Sequence, residues 1–518
     1  MNIRLAEKIL YETVQAGIEE FCLCPGARNS PFVVLLEKAK GIKVHSFFEE
    51  RSAAFFALGR VKKTGRPVAI VTTSGTAAAE MLPAAIEATY TGLPLLFITA
   101  DRPRSYRGKG APQSIEQIGI YSHYVQSTID IENIDEKIDF QSWNLKQPLH
   151  LNVCFDEPLI DGEIPALNLT SVSSKIIHER REKLYLHPQK RKTLRRPIII
   201  VGELDIQKSQ KVAQFLLKIE SPIYAESISN LRGISEIKSL LLSSGEKSIS
   251  KAFEEGLYDS VLRIGGIPTL RFWRDLEEKF KNIPVTSVSE TDYTGLSRSA
   301  DHMVGYHNLE FIDVINDQNS NQKILMIDQE LNQNVQKLLE KFPFSEPSLI
   351  KKLSQKMNNH SIYLGNSLPI REWDLVTTPN QHFMEIHANR GANGIDGQIS
   401  TFLGLTEDNE ECWCLVGDLT AMYDLAALWP AQSMKNRKLR IVIINNNGGQ
   451  IFRNMFSSPQ FINKHQIQFQ KWAEMWNWSY QQLQSISHDN FNLSEREVIE
   501  ICPNNSDSEK FWQEYKKL

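Results

Sequence analysis

Two polar clusters follow two apolar segments of the chain, and together they could bind a divalent cation. Asp418 comes directly after CWCLVG, and Asn445–Gly449 follow LRIVII. Both segments are short and rich in Leu, Ile and Val, which is typical of buried parallel strands. The carboxyl ends of such strands lie side by side at the edge where open α/β sheets bind ligands. A carboxylate, an amide oxygen and a backbone carbonyl suit a hard cation that also binds diphosphate oxygens. A plain turn is the alternative for the asparagines, and their pairing with Asp418 favours the metal site.

Two further polar groups follow strand-like segments in the first part of the chain. Glu49 and Glu50 come after VHSFF and before an Ala-rich helix, where glutamates ordinarily complement the helix dipole. Ser74, Gly75 and Thr76 come after PVAIVTT and before a second Ala-rich helix. Ser and Thr commonly cap helices, but the amides at such a turn also bind anions or the edge of a heteroaromatic ring.

Four arginines of the first part of the chain lie in loops after predicted strands: Arg28, Arg102, Arg104 and Arg107. An isolated arginine is usually solvated. Several arginines at the ends of neighbouring strands instead suggest recognition of carboxylates, which Arg binds in bidentate fashion.

The elements that must position these residues alternate between helix and strand, which predicts doubly wound parallel sheets and an α/β fold. At 518 residues the chain should contain about three domains. We place them at 1–170, 190–345 and 346–518, with a Lys/Arg-rich connector near 172–196. In the middle domain a first strand is predicted at 197–202 and others near 222, 260, 285 and 324. Whether the first and third domains are related halves stays open.

Composition excludes several classes of protein. A net charge of -4 gives no reason to expect a nucleic-acid partner. The apolar runs are too short to span a bilayer, so no integral membrane segment is expected. The six cysteines lack the spacing of a zinc site and are interpreted as reduced thiols of a cytoplasmic protein. A nicotinamide enzyme is disfavoured because no G-x-G-x-x-G follows a strand.

The chain resembles the thiamine diphosphate (ThDP)-dependent enzymes, and among them the synthase family that makes 2-succinyl-5-enolpyruvyl-6-hydroxy-3-cyclohexene-1-carboxylate (SEPHCHC) in menaquinone biosynthesis. NNNGGQIF at 445–452 together with NRGANGIDG at 389–397 is highly specific for it. Leu419 replaces the last Gly of the general G-D-G pattern, as in this family. The other matching segments are CPGARNSPF, FFEERSAAFFALG, VTTSGTAAAEMLPAAIEA, ITADRP, GAPQSI, GNSLPIR and GDLTAMYDL.

The resemblance implies three α/β domains of the ThDP-enzyme type: a pyrimidine-binding domain, a middle domain and a diphosphate-binding domain. It implies that Asp418, Asn446 and the carbonyl of Gly448 bind Mg²⁺ or Mn²⁺ against the cofactor diphosphate. Ile395 resembles the apolar residue that bends the cofactor. The residues implied to contact ThDP are Glu50, Ser74, Gly75, Thr76, Ile395, Asp418, Leu419, Asn446, Gln450, Ile451 and Phe452.

Glu50 is the catalytic residue that the resemblance implies. In ThDP enzymes a glutamate hydrogen-bonds the pyrimidine ring and favours the imino form that activates the cofactor. Such a glutamate needs a raised pKa, and the FF and AAFFALG segments around it are expected to shield it from water. Glu49 is the neighbouring candidate, and the F-x-E-R pattern selects Glu50.

The reaction implied is decarboxylation of 2-oxoglutarate, followed by addition of the succinyl carbanion equivalent to isochorismate. Both substrates are dicarboxylates, which explains the arginines. Arg271 stands where the family places a substrate-binding Lys. The residues implied to contact substrate are Arg28, Arg102, Gln113, Arg271, Ser367, Arg371 and Arg390. Ala27 and Pro112 depart from the family pattern and leave the isochorismate contacts in question.

The resemblance also implies a homodimer or homotetramer with active sites between subunits. Two alternatives stay open: a ThDP carboligase that uses 2-oxoglutarate with another acceptor, and a catalytically silent protein of this fold. The second alternative would be marked by loss of Glu50, Asp418 or Asn446, and all three are present.

Overall fold

The structure is a computed structural model that describes residues 1–170, 191–379, 381–453, 455–456, 458–486 and 494–518. These residues form two compact units. The first is drawn from Met1–Leu186, Gly391–Asp408 and Tyr423–Lys435, and the second from His187–Arg390, Asn409–Met422 and Asn436–Leu518. The predicted connector near 172–196 lies mostly outside the described residues.

The first sheet has six strands, all parallel, in the order β2-β1-β3-β4-β6-β5. Its elements are α1 (Asn2–Gln15), β1 (Glu20–Leu23), α2 (Ser30–Lys38), β2 (Lys43–Ser46), α3 (Glu50–Thr64), β3 (Val68–Thr72), α4 (Thr76–Glu80), α5 (Leu82–Thr91), β4 (Leu95–Asp101), β5 (Thr128–Ile131) and β6 (Leu149–Cys154). Alternate side chains of its strands, such as Val71 and Ile98, pack against apolar residues of α1 and α2 in one core.

The ends of α3 follow from local chemistry. The Glu49 carboxylate accepts the backbone N–H groups of Arg51 (3.1 Å) and Ser52 (2.9 Å), which would otherwise lack partners at a helix start. Gly65 ends the helix with φ 66, a left-handed conformation that Gly adopts without the steric cost of a Cβ. Glu49 therefore fixes where the helix begins, and Glu50 becomes its first residue.

The middle part of the chain forms a five-stranded parallel sheet in the order β12-β11-β10-β8-β9, and a parallel pair, β13-β7. Its elements are β7 (Lys192–Arg195), β8 (Pro197–Val201), α6 (Ile206–Ile219), β9 (Ile223–Ala225), α7 (Glu246–Glu254), β10 (Ser260–Ile264), α8 (Arg271–Asp275), β11 (Val285–Ser289), β12 (Asp301–Val304), β13 (Ile312–Ile315) and α9 (Gln318–Lys341). The last residues of the predicted connector thus belong to a strand.

One predicted strand of the middle domain is wrong. The apolar run near 324 lies inside the long helix α9. Ile324, Ile327, Leu331 and Val335 are buried at spacings of three and four residues, which is the period of one helix face. A short apolar run does not by itself distinguish a strand from a buried helix segment, and here the longer pattern decides.

The third sheet has six parallel strands in the order β15-β14-β16-β17-β19-β18. Its strands are connected in the same spatial order as those of the first sheet. The elements are α10 (Glu346–Lys356), β14 (Ser361–Leu364), α11 (Leu368–Val376), β15 (Glu385–His387), α12 (Gln398–Leu405), β16 (Glu411–Gly417), α13 (Asp418–Tyr423), β17 (Lys438–Ile444), α14 (Phe469–Met475), β18 (Ser479–Leu483), β19 (Arg496–Ile501) and α15 (Asn505–Tyr515). Of these, α12 belongs to the first compact unit.

The register of the third sheet brings together Asp418 and the polar segment that begins at Asn445. Gly417, the last residue of β16, pairs with Ile444, the last residue of β17. Asp418 and Asn445 therefore leave the sheet side by side at its carboxyl edge, as the sequence predicts. Among the described residues, no helix has both the length and the apolarity needed to cross a membrane.

Candidate active site

Asp418 is the first residue of α13, and its side chain is buried. Its Oδ1 accepts the backbone N–H of Leu419 (2.7 Å), and its Oδ2 accepts that of Gly448 (2.8 Å). His465 Nε2 lies 3.1 Å from the same Oδ2. Burial raises the pKa of Asp418, while the backbone donors and His465 oppose that shift. A cation at this carboxylate would further favour its ionised form.

Asn446 offers a second oxygen, on the segment that leaves the sheet beside Asp418. Its side chain is buried, and its Nδ2 donates to Glu346 Oε2 at 2.8 Å. Its Oδ1 is buried without a hydrogen-bond partner among the described residues. A buried amide oxygen without a donor is costly unless something else binds it. The Asp418 carboxylate and this oxygen therefore fit a hard cation such as Mg²⁺.

Gly448 completes the predicted ligand set with its carbonyl, which also accepts the Gln450 N–H at 2.8 Å. Its φ is 123, and a Cβ at this position would lie 2.2 Å from the carbonyl oxygen of Ile462. Only Gly fits here. In the described part of the chain, no three His, Cys, Asp or Glu side chains are grouped to hold a metal. The predicted set is of a different kind, since it combines one carboxylate with an amide and a carbonyl oxygen.

The remaining cofactor residues predicted in this unit are Leu419, which is the second residue of α13, and Gln450–Phe452, which follow Gly448 closely along the chain. Gln450–Phe452 forms a single 3-10 turn, and Gln450 Nε2 donates to the Asn446 carbonyl at 3.0 Å. Ile451 and Leu419 are half-buried, whereas Phe452 is exposed. The turn is thus tied to the backbone of the proposed metal ligand.

A cavity of about 310 Å³ opens beside this loop in the second unit. Gln450, Ile451 and Glu346 line it together with Arg271 and Arg371. The Arg271 Nε donates to Asp275 Oδ1 at 3.2 Å, at the start of α8. Two of the predicted substrate arginines thus share one cavity with two of the predicted cofactor residues. Glu246, Asp374 and Glu509 also line the cavity, so a small anionic ligand would have to bind at its arginines.

Ser367 and Arg390, also predicted to contact substrate, lie near the start of α11. Ser367 is its N-cap with φ 78, a conformation that costs a non-Gly residue energy and often occurs at functional sites. It directly precedes Leu368, which lines the cavity. The Arg390 guanidinium donates to Asn366 Oδ1 at 2.6 Å.

In the first unit, Glu50 is half-buried at the start of α3, and its side chain lies beside Thr72, the last residue of β3. The Thr72 hydroxyl donates to its Oε1 at 3.3 Å. Burial raises the pKa of Glu50 above the ordinary value for a glutamate, and the charges of Glu49 and Glu80 act in the same direction. Both carboxylate oxygens of Glu49 are engaged at the cap of α3, where Ser52 also donates its hydroxyl. Glu50 is therefore the glutamate of this pair that remains available for a ligand.

The expected apolar shield around Glu50 is only partly present. Phe47 is buried, but Phe48 is 55 % exposed and packs edge-on against Trp429. The prediction that both phenylalanines shield the glutamate is wrong for Phe48. Both residues lie in the loop between β2 and α3, and only Phe47 faces the core. Ala53 and Ala54 of α3 are fully buried.

The Ser74–Thr76 turn is held by a residue that sequence reasoning missed. The Gly75 N–H donates to Gln117 Oε1 at 2.9 Å, so this amide has a protein partner. Gln117 is buried and also donates to the Ala100 carbonyl (3.2 Å) and to Asn152 Oδ1 (2.8 Å). Gly75 itself is the N-cap of α4 with φ 83, so neither Ser74 nor Thr76 occupies the cap position.

Gln113 and two predicted arginines lie around the same turn. The backbone of Gln113 lies against Gly75, where a Cβ would come within 3.3 Å of the Gln113 Cα. Arg28 is buried, and its guanidinium donates to the Phe155 carbonyl at 3.0 Å. The Arg102 Nε donates to the Pro112 carbonyl at 3.2 Å. Any residue at 112 supplies that carbonyl, so the departure at Pro112 does not remove this contact.

Arg104 and Arg107 do not recognise a ligand in the way their position suggested. Arg104 donates to Asp130 Oδ2 (2.8 Å) and Glu136 Oε1 (2.8 Å), and Arg107 donates to both Asp130 oxygens. Carboxylates of the protein itself thus bind both guanidinium groups. The predicted bidentate pairing of Arg with a carboxylate is present, but the carboxylate that Arg107 pairs with is Asp130.

Ile395 is half-buried in the loop 391–397 of the first unit. The Glu87 carboxylate accepts the N–H of Gly391 (2.8 Å) and that of the following residue (2.7 Å). At the other end, Gly397 has φ 64, and a Cβ there would lie 1.9 Å from a buried Phe ring of α3. The loop that presents Ile395 is thus fixed at both ends.

Glu346 and Glu372 form a buried acidic pair that sequence reasoning also missed. Burial raises the pKa of Glu346 to about 7, and the nearby charge of Asp418 adds to the shift, whereas the Asn446 amide opposes it. Burial, reinforced by the charge of Glu346, raises the pKa of Glu372 well above its ordinary value. The sequence carries no motif for them, because each is a single Glu in a helix that begins far from Asn446 along the chain.

Known proteins share both the sequence and the length of this chain. Residues 3–120 match the family described as thiamine pyrophosphate enzyme, N-terminal TPP binding domain. A 2-succinyl-5-enolpyruvyl-6-hydroxy-3-cyclohexene-1-carboxylate synthase of Bdellovibrio bacteriovorus is 48% identical over 529 residues, covering 100% of this chain and 99% of the relative. The chain belongs to the SEPHCHC synthase family. 

Two more distant SEPHCHC synthases agree. The synthase of Akkermansia muciniphila is 34% identical, with 97% of both chains covered. That of Lysinibacillus sphaericus is 30% identical, covering 93% of this chain and 90% of the relative. The chain is therefore an α/β thiamine pyrophosphate enzyme of the SEPHCHC synthase family, which confirms the resemblance seen in its motifs.

Proposed function

We propose that this chain catalyses the SEPHCHC synthase reaction of menaquinone biosynthesis. In that reaction 2-oxoglutarate loses CO2 and its succinyl group is added to isochorismate. The observation that carries the proposal is the Oδ1 of Asn446, which is buried without a hydrogen-bond partner among the described residues, in the same unit as Asp418 and as the cavity that Arg271 and Arg371 line. A cation-diphosphate anchor next to a cavity that contains these two arginines fits a ThDP enzyme that acts on dicarboxylates.

In this proposal Asp418, Asn446 and the Gly448 carbonyl hold Mg²⁺ or Mn²⁺. Leu419, Gln450, Ile451 and Phe452 contact the cofactor on that side, and Ser74, Gly75, Thr76 and Ile395 contact its pyrimidine part. When bound, ThDP supplies the nucleophilic carbon and the electron sink that decarboxylation of a 2-oxo acid requires. The protein supplies orientation, charge and protons.

Glu50 is proposed to exchange a proton with the pyrimidine ring. Its raised pKa brings the carboxyl closer to neutral pH, where an acid–base group works best. The Thr72 hydroxyl orients one of its oxygens. The commitment of Glu49 to the cap of α3 leaves this role to Glu50.

The arginines are proposed to bind the substrate carboxylates. Arg271 and Arg371 meet in one cavity, so a single dicarboxylate of small size can contact both. Arg28, Arg102, Gln113, Ser367 and Arg390 complete the proposed substrate contacts. The fork of a guanidinium fixes the orientation of a carboxylate as well as its charge.

The decisive test is to incubate the purified protein with ThDP, Mg²⁺, 2-oxoglutarate and isochorismate. We expect release of CO2 together with formation of SEPHCHC, both followed by chromatography with mass detection. CO2 without a product from isochorismate would favour a carboligase with another acceptor. Neither CO2 nor product would favour a catalytically silent protein of this fold.

We also propose a homodimer or homotetramer with active sites shared between subunits, located in the cytoplasm. Its functional division would be a pyrimidine-binding domain at 1–170, a middle domain at 190–345 and a diphosphate-binding domain at 346–518. All six cysteines lie in the described residues and form no disulfide, which supports a reducing compartment. Mixing inactive Glu50→Gln and Asp418→Asn subunits tests the shared site, since it should restore part of the activity. Mass photometry would give the number of subunits.

A further inference from the structure

The amide of Asn446 has two chemically different ends, and only one of them suits a cation. Its Oδ1 can bind a hard cation, whereas its Nδ2 carries two hydrogens with partial positive charge and repels a cation. Rotation of the amide by half a turn exchanges the two ends with almost no change in shape. Some other group must therefore set which end of the amide is left for a cation.

Glu346 is the group that meets the Nδ2 end. Its Oε2 accepts the Asn446 N–H at 2.8 Å, so the end of the amide that carries hydrogens points to Glu346. Both side chains are buried, at 6% exposure for Asn446 and 3% for Glu346, so water competes little for this bond. The contact leaves Oδ1 as the amide atom that has no hydrogen-bond partner within the described part of the chain.

Glu346 is itself fixed in place. It is the first residue of α10, and its backbone N–H donates to the Ser508 hydroxyl at 2.9 Å. An acidic side chain in the first turn of a helix is stabilised by the helix dipole. The glutamate thus has a rigid backbone anchor while its carboxyl reaches Asn446, 100 positions further along the chain.

We infer that Glu346 is a positioning residue that orients the Asn446 amide so that Oδ1 faces the cation of the cofactor site. The inference rests on the proposed function, because it takes Asn446 as a cation ligand. Residues behind a metal ligand that hold its orientation typically change metal affinity by 10–100-fold when they are replaced.

Two variants separate orientation from charge and volume. Glu346→Leu removes the acceptor, and we expect cation affinity to fall by about 10–100-fold. Glu346→Gln keeps an oxygen that can accept the Asn446 N–H, and we expect affinity within about 3-fold of the wild type. Affinity is measured with Mn²⁺ by electron paramagnetic resonance, in the presence of saturating ThDP. Thermal unfolding of each variant checks that it is folded.

The outcomes distinguish the inference from the proposed function. Wild-type protein that binds no Mn²⁺ with ThDP would overturn the cation site itself. Wild-type binding with unchanged affinity in Glu346→Leu, or equal losses in the Leu and Gln variants, would overturn the role of Glu346. If the Leu variant does not fold, a crystal structure of the wild type with ThDP and Mn²⁺ decides: Glu346 is expected to remain within 3.5 Å of Asn446 Nδ2, and a broken contact would refute the inference.

Discussion

Replacement of Glu50 by Gln separates proton exchange from cofactor binding. Gln has almost the same shape as Glu, but its amide does not titrate. The Thr72 hydroxyl can still donate to the side-chain oxygen, as it does to Glu50 Oε1 at 3.3 Å. We therefore expect the fold and the binding of ThDP to be preserved while the proton exchange is lost.

The size of the effect depends on whether a neighbour can substitute. Glu49 is the nearest carboxylate along the chain, and its oxygens hold Arg51 and Ser52 at the start of α3. Release of that cap would cost about 1 kcal/mol, so Glu49 is a poor replacement. We expect the full contribution of a general acid–base group to disappear, which lowers kcat by about 10²–10⁴. This corresponds to roughly 3–5 kcal/mol in the activation barrier.

The assay combines steady-state kinetics at saturating ThDP with calorimetric measurement of ThDP binding. Glu49→Gln is the matched control, since it also removes one carboxylate. It should lower stability by about 1 kcal/mol through loss of the cap and leave kcat within about threefold. Turnover of Glu50→Gln within fivefold of the wild type, or a larger loss in the Glu49 variant, would refute the assignment.

Three further perturbations test other parts of the structure. Gln117→Leu removes three buried hydrogen bonds, including the one from Gly75, and should lower the free energy of unfolding by about 2–5 kcal/mol in urea titrations; an unchanged midpoint would contradict this role. Arg371→Ala should reduce kcat/KM by about 10–100-fold through loss of a charge-assisted carboxylate contact, with partial recovery in Arg371→Lys; equal kinetics of Ala variant and wild type would exclude it from the substrate site. Burial raises the pKa of Asp424 to about 6, so the folded chain binds its proton more tightly than the unfolded chain. The stabilisation that this bound proton gives the folded chain is therefore present below about pH 4 and is lost as pH rises through 6. The thermal stability of Asp424→Asn should accordingly rise relative to that of the wild type across this window. A stability difference between the two proteins that does not depend on pH would contradict this prediction.

Local patterns predicted the elements that carry the site. The apolar segments before Asp418 and Asn445 are strands with paired ends, because neighbouring parallel strands end at one edge. The run near 324 was misread because its period becomes clear only over the whole of α9. Element type was thus predictable where a segment was short and bounded by turns.

The side chains that support the site were not predictable. Gln117 reaches Gly75 across 42 positions, and Glu346 reaches Asn446 across 100. A contact of that separation depends on how the sheets and helices pack, and no local pattern records it. Arg104 and Arg107 show the same limit, because their partner Asp130 lies more than 20 positions away. Residue type predicted what they would bind, but only the fold showed which carboxylate.

The common strand order of the first and third sheets places predicted cofactor residues at one repeated position. In both sheets the third strand along the chain, β3 or β16, leads into such residues: Ser74, Gly75 and Thr76 after β3, and Asp418 after β16. One strand arrangement, used twice, thus presents two chemically different sets of groups at equivalent points: small polar side chains with backbone amides in one sheet, and a carboxylate in the other. In the proposed function, these two sets bind the two ends of one elongated ligand.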